Sequence, residues 1–337
     1  MKNSNIILSI IIPTYKRSEN LIRAIESIFE NKLNYEYEII VVDDNGINTE
    51  YQLENEKKLS KYMLLDNFYY LKHDVNKNGA VARNTGIKSA NGRYITFLDD
   101  DDQFINNRVD EIIEIINEKT PDFLYTGCVF AKNGKIYKYI SNNESNKYIL
   151  IERLLKQDSF FGTGSNLVCR KEIVDEINGF DESFSRHQDI EFAIRMLEKS
   201  NKIVPVGSYL IQKNIDDSSN IPSFEKFLNV KEKFLDKYKY IIESFDFNQQ
   251  KNIYIINYYE LLANALLKKD KEEKKKCINM LKSKNIYKFE TVMKYKIKND
   301  LGKFKFIQEL KKRLKKKEVK KWNMKFLDFL WIFCHIN

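Results

Sequence analysis

The chain has 337 residues, 43% hydrophobic, 13% aromatic and 31% charged, with a formal net charge of +9. That is enough apolar material for a real core in one large domain plus a smaller one, or in two, and it excludes a largely disordered chain; 11 Gly and 4 Pro exclude collagen-like and low-complexity classes. The 4 Cys (Cys128, Cys169, Cys277, Cys334) form no CxxC pair and are joined by only 3 His, so a disulfide scaffold and a thiolate or imidazole zinc site are set aside and a reduced, cytosolic protein is expected.

In chain order, the first apolar run, Ile6–Ile12, ends at Pro13 with no small-residue cleavage site after it, which predicts a buried strand rather than a leader. An amphipathic helical pattern follows from Ser18 to Phe29, then strands at Tyr37–Val42 and Phe68–Leu71, a helix at Ala80–Ala90, and a strand at Tyr94–Leu98. Near-continuous apolar strands alternating with helices predict a parallel α/β sheet covered on both faces. Phe123–Phe130 and Ile136–Ile140, joined across Asn133-Gly134, read as a hairpin, so the sheet is expected to be mixed. Beyond residue 223 the pattern turns helical: Phe224–Phe245, Asn252–Leu267, Lys271–Leu281 and Phe304–Val319. The last apolar run, Phe329–Ile336, is far short of the roughly 20 residues that span a bilayer.

Charge divides the chain in the same place. Residues 1–224 carry 28 Lys/Arg against 34 Asp/Glu, and residues 225–337 carry 29 against 14. Together with the loss of Gly and Pro, this sets a boundary near Pro222, with a catalytic domain expected over 1–222 and a basic helical region over 223–337.

Ligands of open α/β sheets bind beyond the carboxyl ends of the strands. After the first strand come Pro13-Thr14-Tyr15-Lys16-Arg17, after the second Asp43-Asp44-Asn45-Gly46, and after the fourth Asp99-Asp100-Asp101-Asp102. A ring to stack on a base, carboxylates for base or ribose, and an acidic cluster form a nucleotide-shaped inventory. Successive carboxylates at a strand end repel one another, and a divalent cation relieves that; all-oxygen ligands select Mg²⁺ or Mn²⁺ over zinc. The plain alternative is an acidic turn facing water. Gly79 at the entry of the next helix puts Arg83 within a turn of a helix N-terminus, where anions are favoured. Near residue 189, Ser185 and Gln188 fit a capping box, which by local pattern would leave Asp189 an exposed first-turn carboxylate.

Five blocks in order resemble the family 2 glycosyltransferases, the inverting group with the GT-A fold: Ser9–Arg17, Ile39–Asp44, Asn78-Gly79 with Ala82-Arg83-Asn84, Gly92–Asp102, and Gly179-Phe180-Asp181-Glu182 leading to Gln188-Asp189. The resemblance covers residues 6 to about 212. It implies a Rossmann-like α/β fold, a mixed, mostly parallel sheet between helices, with the C-terminal helical region appended. It further implies that Pro13, Thr14 and Tyr15 frame the uracil of a UDP-sugar, with Asp44 hydrogen-bonding the ring, Arg17 near nucleotide or phosphate, and Gly79 and Arg83 near base or diphosphate. Asp99 falls to ribose and sugar, Asp100 to the nucleotide-sugar site, Asp101 to Mn²⁺ or Mg²⁺, and Asp189 to the general base. Two departures stand out. Gln188 replaces a carboxylate often found before the base, which should leave the Asp189 pKa lower than with that neighbour. The segment Gln212–Ser219 lacks His, leaving Lys213 as the cation that could serve there.

The activity implied is inverting, metal-dependent transfer from a UDP-sugar to a hydroxyl of a saccharide acceptor, one carried on a lipid in surface or capsular polysaccharide synthesis. A polyprenyl-phosphate sugar transferase is the rival within the fold. A sugar nucleotidyltransferase lacks its Gly-rich loop here, and a non-enzymatic membrane- or nucleic-acid-binding protein leaves the carboxylates without a purpose. Residues 303–325 hold 11 Lys/Arg against Glu309 and Glu318 and run into Trp322–Phe333. That reads as an anchor on an anionic membrane surface, against a nucleic-acid patch or a solvated lysine face over a packed helix. The expectation is a cytoplasmic enzyme, peripheral on the inner face of the membrane, without a nucleic-acid partner and able to pair through its C-terminal helices.

Overall fold

The computed structural model describes residues 6–30, 35–132, 134–158, 160–215 and 222–288. The expected helix Phe304–Val319, the basic tail and Cys334 lie outside the described residues.

The elements run β1 (Leu8–Thr14), α1 (Ser18–Phe29), β2 (Tyr37–Asp43), α2 (Glu50–Leu59), β3 (Phe68–Lys72), α3 (Gly79–Ser89), β4 (Tyr94–Phe97), β5 (Asp102–Phe104) and α4 (Arg108–Lys119). Then come β6 (Phe123–Lys132), β7 (Lys135–Ile140), α5 (Lys147–Leu155), a 3₁₀ turn (Gly164–Asn166), β8 (Leu167–Arg170), α6 (Lys171–Glu176), α7 (Gln188–Lys199) and β9 (Ile203–Asn214). Helices α8 (Phe224–Lys237), α9 (Lys239–Ile242), α10 (Phe247–Lys268) and α11 (Lys271–Ser283) complete the described chain.

The nine-stranded sheet has the order β3-β2-β1-β4-β8-β6-β9-β5, with β7 paired to β6. The pairs β3-β2, β2-β1, β1-β4 and β6-β9 are parallel, whereas β8 runs antiparallel to β4 and β6, and β5 antiparallel to β9. The sheet is therefore mixed and mostly parallel, as the strand runs and the Asn-Gly hairpin predict. Every residue of β2 is buried, as a strand covered on both faces requires. Helix α1 places Leu21, Ala24, Ile25 and Ile28 on one buried stripe against the sheet. On α3, Gly86 does the packing by having no side chain: a Cβ there would lie 2.4 Å from Ile11 Cγ2.

Two expectations about helices change. The single helix Phe224–Phe245 breaks into α8 and α9 at Tyr238, whose buried hydroxyl donates to the Glu191 carbonyl at 3.0 Å. The capping box is not formed: α7 starts after His187, which has φ +59 and makes no side-chain cap bond, and Ser185 is exposed. Among the described residues, those up to 215 cluster with 229–256 as one unit, and 222–228 with 257–288 as another. Within the second unit, the Tyr259 hydroxyl donates to the carbonyls of Ile286 (3.2 Å) and Lys288 (3.3 Å), and Asp270 caps α11 through Glu273 N.

Candidate active site

Because β1, β2, β3 and β4 are parallel neighbours, the residues just past their carboxyl ends emerge on one edge. There, Pro13, Thr14, Tyr15, Arg17, Asp44, Asn76, Asn78, Gly79, Ala82, Arg83, Asp99, Asp100, Asp101 and Lys213 line a cleft of about 510 Å³. Every residue expected to meet a nucleotide sugar or metal is in that lining. Asp189 is not; it sits in the first turn of α7, within electrostatic reach of Asp99, Arg83 and Lys213.

The turn after β1 is tied to the turn after β4. Thr14 Oγ1 (2.9 Å) and Tyr15 N (3.4 Å) donate to Asp100 Oδ2, while Arg17 Nη1 donates to Asp100 Oδ1 (3.1 Å) and Asp101 Oδ2 (2.5 Å). Tyr15 is 41% exposed, with Lys16 Nζ 4.9 Å from its ring centroid.

Asp44 is buried and heavily bonded. His73 Nδ1 (2.7 Å) and Lys77 N (2.8 Å) meet Oδ1, and Asn76 Nδ2 (2.8 Å) and Asn78 N (2.9 Å) meet Oδ2. Thr85 Oγ1 faces His73 Nε2 at 2.9 Å. Two protein donors on each oxygen use the ordinary accepting capacity of a carboxylate, so a base approaching Asp44 competes with them. Asp44 thereby orders the Asn76–Asn78 turn that opens α3, where Asn78 caps the helix at φ +83.

The aspartate run splits into distinct environments. Oxygens of Asp99, Asp101 and Asp102 lie within 4.8 Å of one another, and with neither His nor Cys among them this set fits a hard divalent cation. Although burial works against it, Arg83, Lys213 and Arg17 hold the Asp99 carboxyl below its ordinary value. Burial, with Asp101 alongside, lifts Asp100 to about 6 against the pull of Arg17. Asp102 is lifted to about 7 by burial, with Asp99 and Asp101 adding to it and Lys213 opposing.

Strand β8 explains who holds Asp102. Since β8 runs antiparallel to β4, the loop leading into it lies at the carboxyl end of β4. Thr163 Oγ1 (2.9 Å) and Ser165 Oγ (2.6 Å) donate to Asp102 Oδ2, and Asp99 N donates to Ser165 Oγ at 3.0 Å. Beneath them the fully buried Arg108 donates to Thr96 Oγ1 (3.1 Å), Thr126 Oγ1 (2.9 Å) and the Ser165 carbonyl (2.9 Å); burial takes it down to about 9. Lys213 Nζ, on β9, is 3.5 Å from Asp102 Oδ1 and from Thr163 Oγ1.

The turn that carries α7 is fixed on α3. Asn84 Oδ1 accepts from Phe180 N (2.8 Å), and Asn84 Nδ2 donates to the Phe180 carbonyl and to Glu182 Oε1 (both 2.9 Å). The preceding Gly179 has φ +64, and a Cβ there would lie 2.4 Å from Asn84 Oδ1, so both backbone and space demand glycine. The Phe180 ring stacks on Phe192 at 4.2 Å, fastening the turn to α7 itself. Within α7, buried Glu191 accepts from Arg195 Nε (2.6 Å) and Nη2 (2.7 Å) and from Lys237 Nζ (2.6 Å).

Asp189 is half-buried, not the exposed carboxylate of the capping-box pattern. Burial and then Asp99 push its carboxyl above the ordinary value. The neutral Gln188 removes one neighbouring charge, as the sequence implies, but Asp99 supplies another. Gly164 lies against it, where a Cβ would be 3.3 Å from Asp189 Cβ. Sequence reasoning missed His73, Asn76, Ser165 and Arg108. The Asn76–Asn78 cluster of turn formers was a usable signal; for the others there was none.

The model of glycosyl transferase family 2 matches residues 9–178, half of the chain. Amylovoran biosynthesis glycosyltransferase AmsB of Erwinia amylovora is 28% identical over 217 residues, 61% of this chain and 69% of that protein. The Escherichia coli protein named UDP-Glc:alpha-D-GlcNAc-diphosphoundecaprenol beta-1,3-glucosyltransferase WfgD is 28% identical over 229 residues, covering 67% and 83%. Several other curated relatives are matched over less than half of their own length. Among solved structures, S. aureus TarS 1-349 in complex with UDP-GlcNAc superposes with a TM-score of 0.61 at 19% identity, over 82% of this chain and 80% of that one; the likeness is one of fold.

Proposed function

The chain belongs to glycosyl transferase family 2, and from that premise we propose that it moves a sugar from a UDP-sugar to a hydroxyl of a saccharide acceptor, inverting the anomeric carbon. The observation that carries this reading is the single cleft shared by the residues after β1, β2, β3 and β4, with Asp189 in electrostatic reach of its Asp99 and Arg83.

Tyr15 offers its exposed ring to the uracil, with Pro13 and Thr14 framing it, and Asp44 shapes the facing turn. Arg17, Arg83 and Lys213 supply positive charge for the diphosphate. Gly79 leaves backbone accessible at the entry of α3, where the helix dipole favours an anion. Asp99 faces ribose and sugar, and Asp100 braces the nucleotide-side turn through Thr14, Tyr15 and Arg17. Asp101, with Asp99 beside it, is the residue that would hold Mn²⁺ or Mg²⁺, whose chemistry there is to offset charge on the departing diphosphate. Asp189 accepts the proton of the acceptor hydroxyl as that oxygen attacks the anomeric carbon from the face opposite UDP; its raised pKa brings it nearer the working range of a general base. A single displacement of this kind inverts configuration.

The catalytic domain is assigned to 1–222 and the basic helical region to 223–337. WfgD is named for an acceptor on diphosphoundecaprenol, which supports a lipid-linked saccharide acceptor here and a cytoplasmic enzyme at the inner membrane face. Among the described residues no helix is long and apolar enough to cross a membrane. Surface attachment is assigned to the basic, aromatic tail. The decisive experiment is a screen of UDP-glucose, UDP-galactose, UDP-GlcNAc and UDP-GalNAc for Mn²⁺-dependent hydrolysis, alongside thermal shift with UDP and Mn²⁺. One donor cleaved and a UDP-dependent rise in Tm are expected; no shift and no cleavage with any donor refutes the proposal.

A further inference from the structure

Arg83 spans two parts of the site. Its Nη2 donates to Asp99 Oδ1 at 2.5 Å and its Nη1 to Gln188 Oε1 at 3.3 Å, with the guanidinium 5.4 Å from the centre of the Phe180 ring. At its other end, Gln188 Nε2 donates to the Phe184 carbonyl at 2.7 Å. A donor on one side and an acceptor on the other leave the amide one orientation that satisfies both. Gly79 provides the room: a Cβ there would lie 3.0 Å from Arg83 Nη1 and 3.5 Å from Gln188 Oε1. Its backbone is not in the left-handed region, so a side chain there would crowd the fork rather than strain the dihedral.

We infer that Gln188 is a positioning residue, holding Arg83 between Asp99 and the first turn of α7 so that one guanidinium sets both the donor cleft and the neighbourhood of Asp189. The inference rests on reading the cleft as the donor site and Asp189 as the base. The amide also does what a carboxylate at the same place does not. It holds the guanidinium by a hydrogen bond while cancelling none of its charge, so Asp99 is the one carboxylate bonded to Arg83 among the described residues. An arginine matched by a single acid still attracts a diphosphate; one clamped between two acids does so far less.

The test uses the full chain and UDP with Mn²⁺, measuring the dissociation constant by calorimetry together with kcat and donor KM. Gln188→Leu removes both hydrogen bonds and is expected to weaken UDP binding about tenfold, the loss of one bond to a charged group. Combined with Arg83→Met, it is expected to add nothing, because Gln188 acts through that arginine. Gln188→Glu recovers the bond to Arg83, though not the one to the Phe184 carbonyl, and is expected to return kcat to within about threefold while UDP affinity stays weakened by the added charge. Should Gln188→Leu fold poorly, Gln188→Met, which keeps the length of the side chain, carries the same expectation. Wild-type UDP affinity and kinetics in the leucine or methionine variant, or losses that multiply in the double variant, overturn the inference alone. Absence of UDP binding by the unmodified chain overturns the functional reading and the inference with it.

Discussion

Replacing Asp189 with Asn removes the proposed proton acceptor at almost unchanged volume. General-base catalysis is worth about 10²–10⁴ in rate, or roughly 3–5 kcal/mol of transition-state stabilisation, and kcat is expected to fall by that factor. The fold does not suffer. Burial and Asp99 hold the Asp189 carboxyl above its ordinary value, so the folded state favours the protonated form. The stability this brings is present below the unfolded pKa and is lost as pH rises through the folded one, so at neutral pH the ionised side chain weighs against folding. Asn carries no such penalty, and Tm at pH 7.5 is expected to be equal or higher. Removing a negative charge near Asp99 also leaves UDP–Mn²⁺ affinity unchanged or tighter. Initial rates across pH complete the assay: kcat/KM of the native enzyme rises with pH through the Asp189 pKa, and the residual activity of Asp189→Asn shows no such limb. Turnover within tenfold of the native enzyme, or loss of UDP binding, refutes the assignment.

Further outcomes come from the same geometry. Asp102, buried and lifted to about 7, favours its protonated form, so the metal-free protein should lose stability as pH rises from about 4 through 7; Asp102→Asn should flatten that decline in thermal melts at pH 5 and 8. Glu191→Leu removes the fully buried carboxylate shared by half-buried Arg195 and Lys237, and urea unfolding should show a loss of about 3 kcal/mol. On α3, Gly86→Ala forces a methyl onto Ile11, and the overpacking should cost about 1–3 kcal/mol by the same measurement, despite alanine being the better helix former.

Much of this site was legible in the chain alone because short apolar runs followed by polar residues mark strand ends, and parallel strands send those ends to one edge. Pro13–Arg17, Asp44 and Asp99–Asp101 were found that way, Gly79 and Arg83 from the entry of a helix, and all but Lys16 of them line the cleft. The mixed sheet, too, was implied by the runs and the Asn-Gly turn. What the chain could not show was pairing between side chains far apart in sequence. Local pattern gave Ser185 the cap of α7, yet that helix begins beyond a left-handed His187 and its first side chain reaches Arg83 instead. His73 stands behind Asp44, and Ser165 beneath Asp102, only because β3 pairs with β2 and β8 enters antiparallel beside β4. A motif records which groups a site needs; strand order and direction decide which of them come within hydrogen-bonding reach, and burial then decides which stay charged.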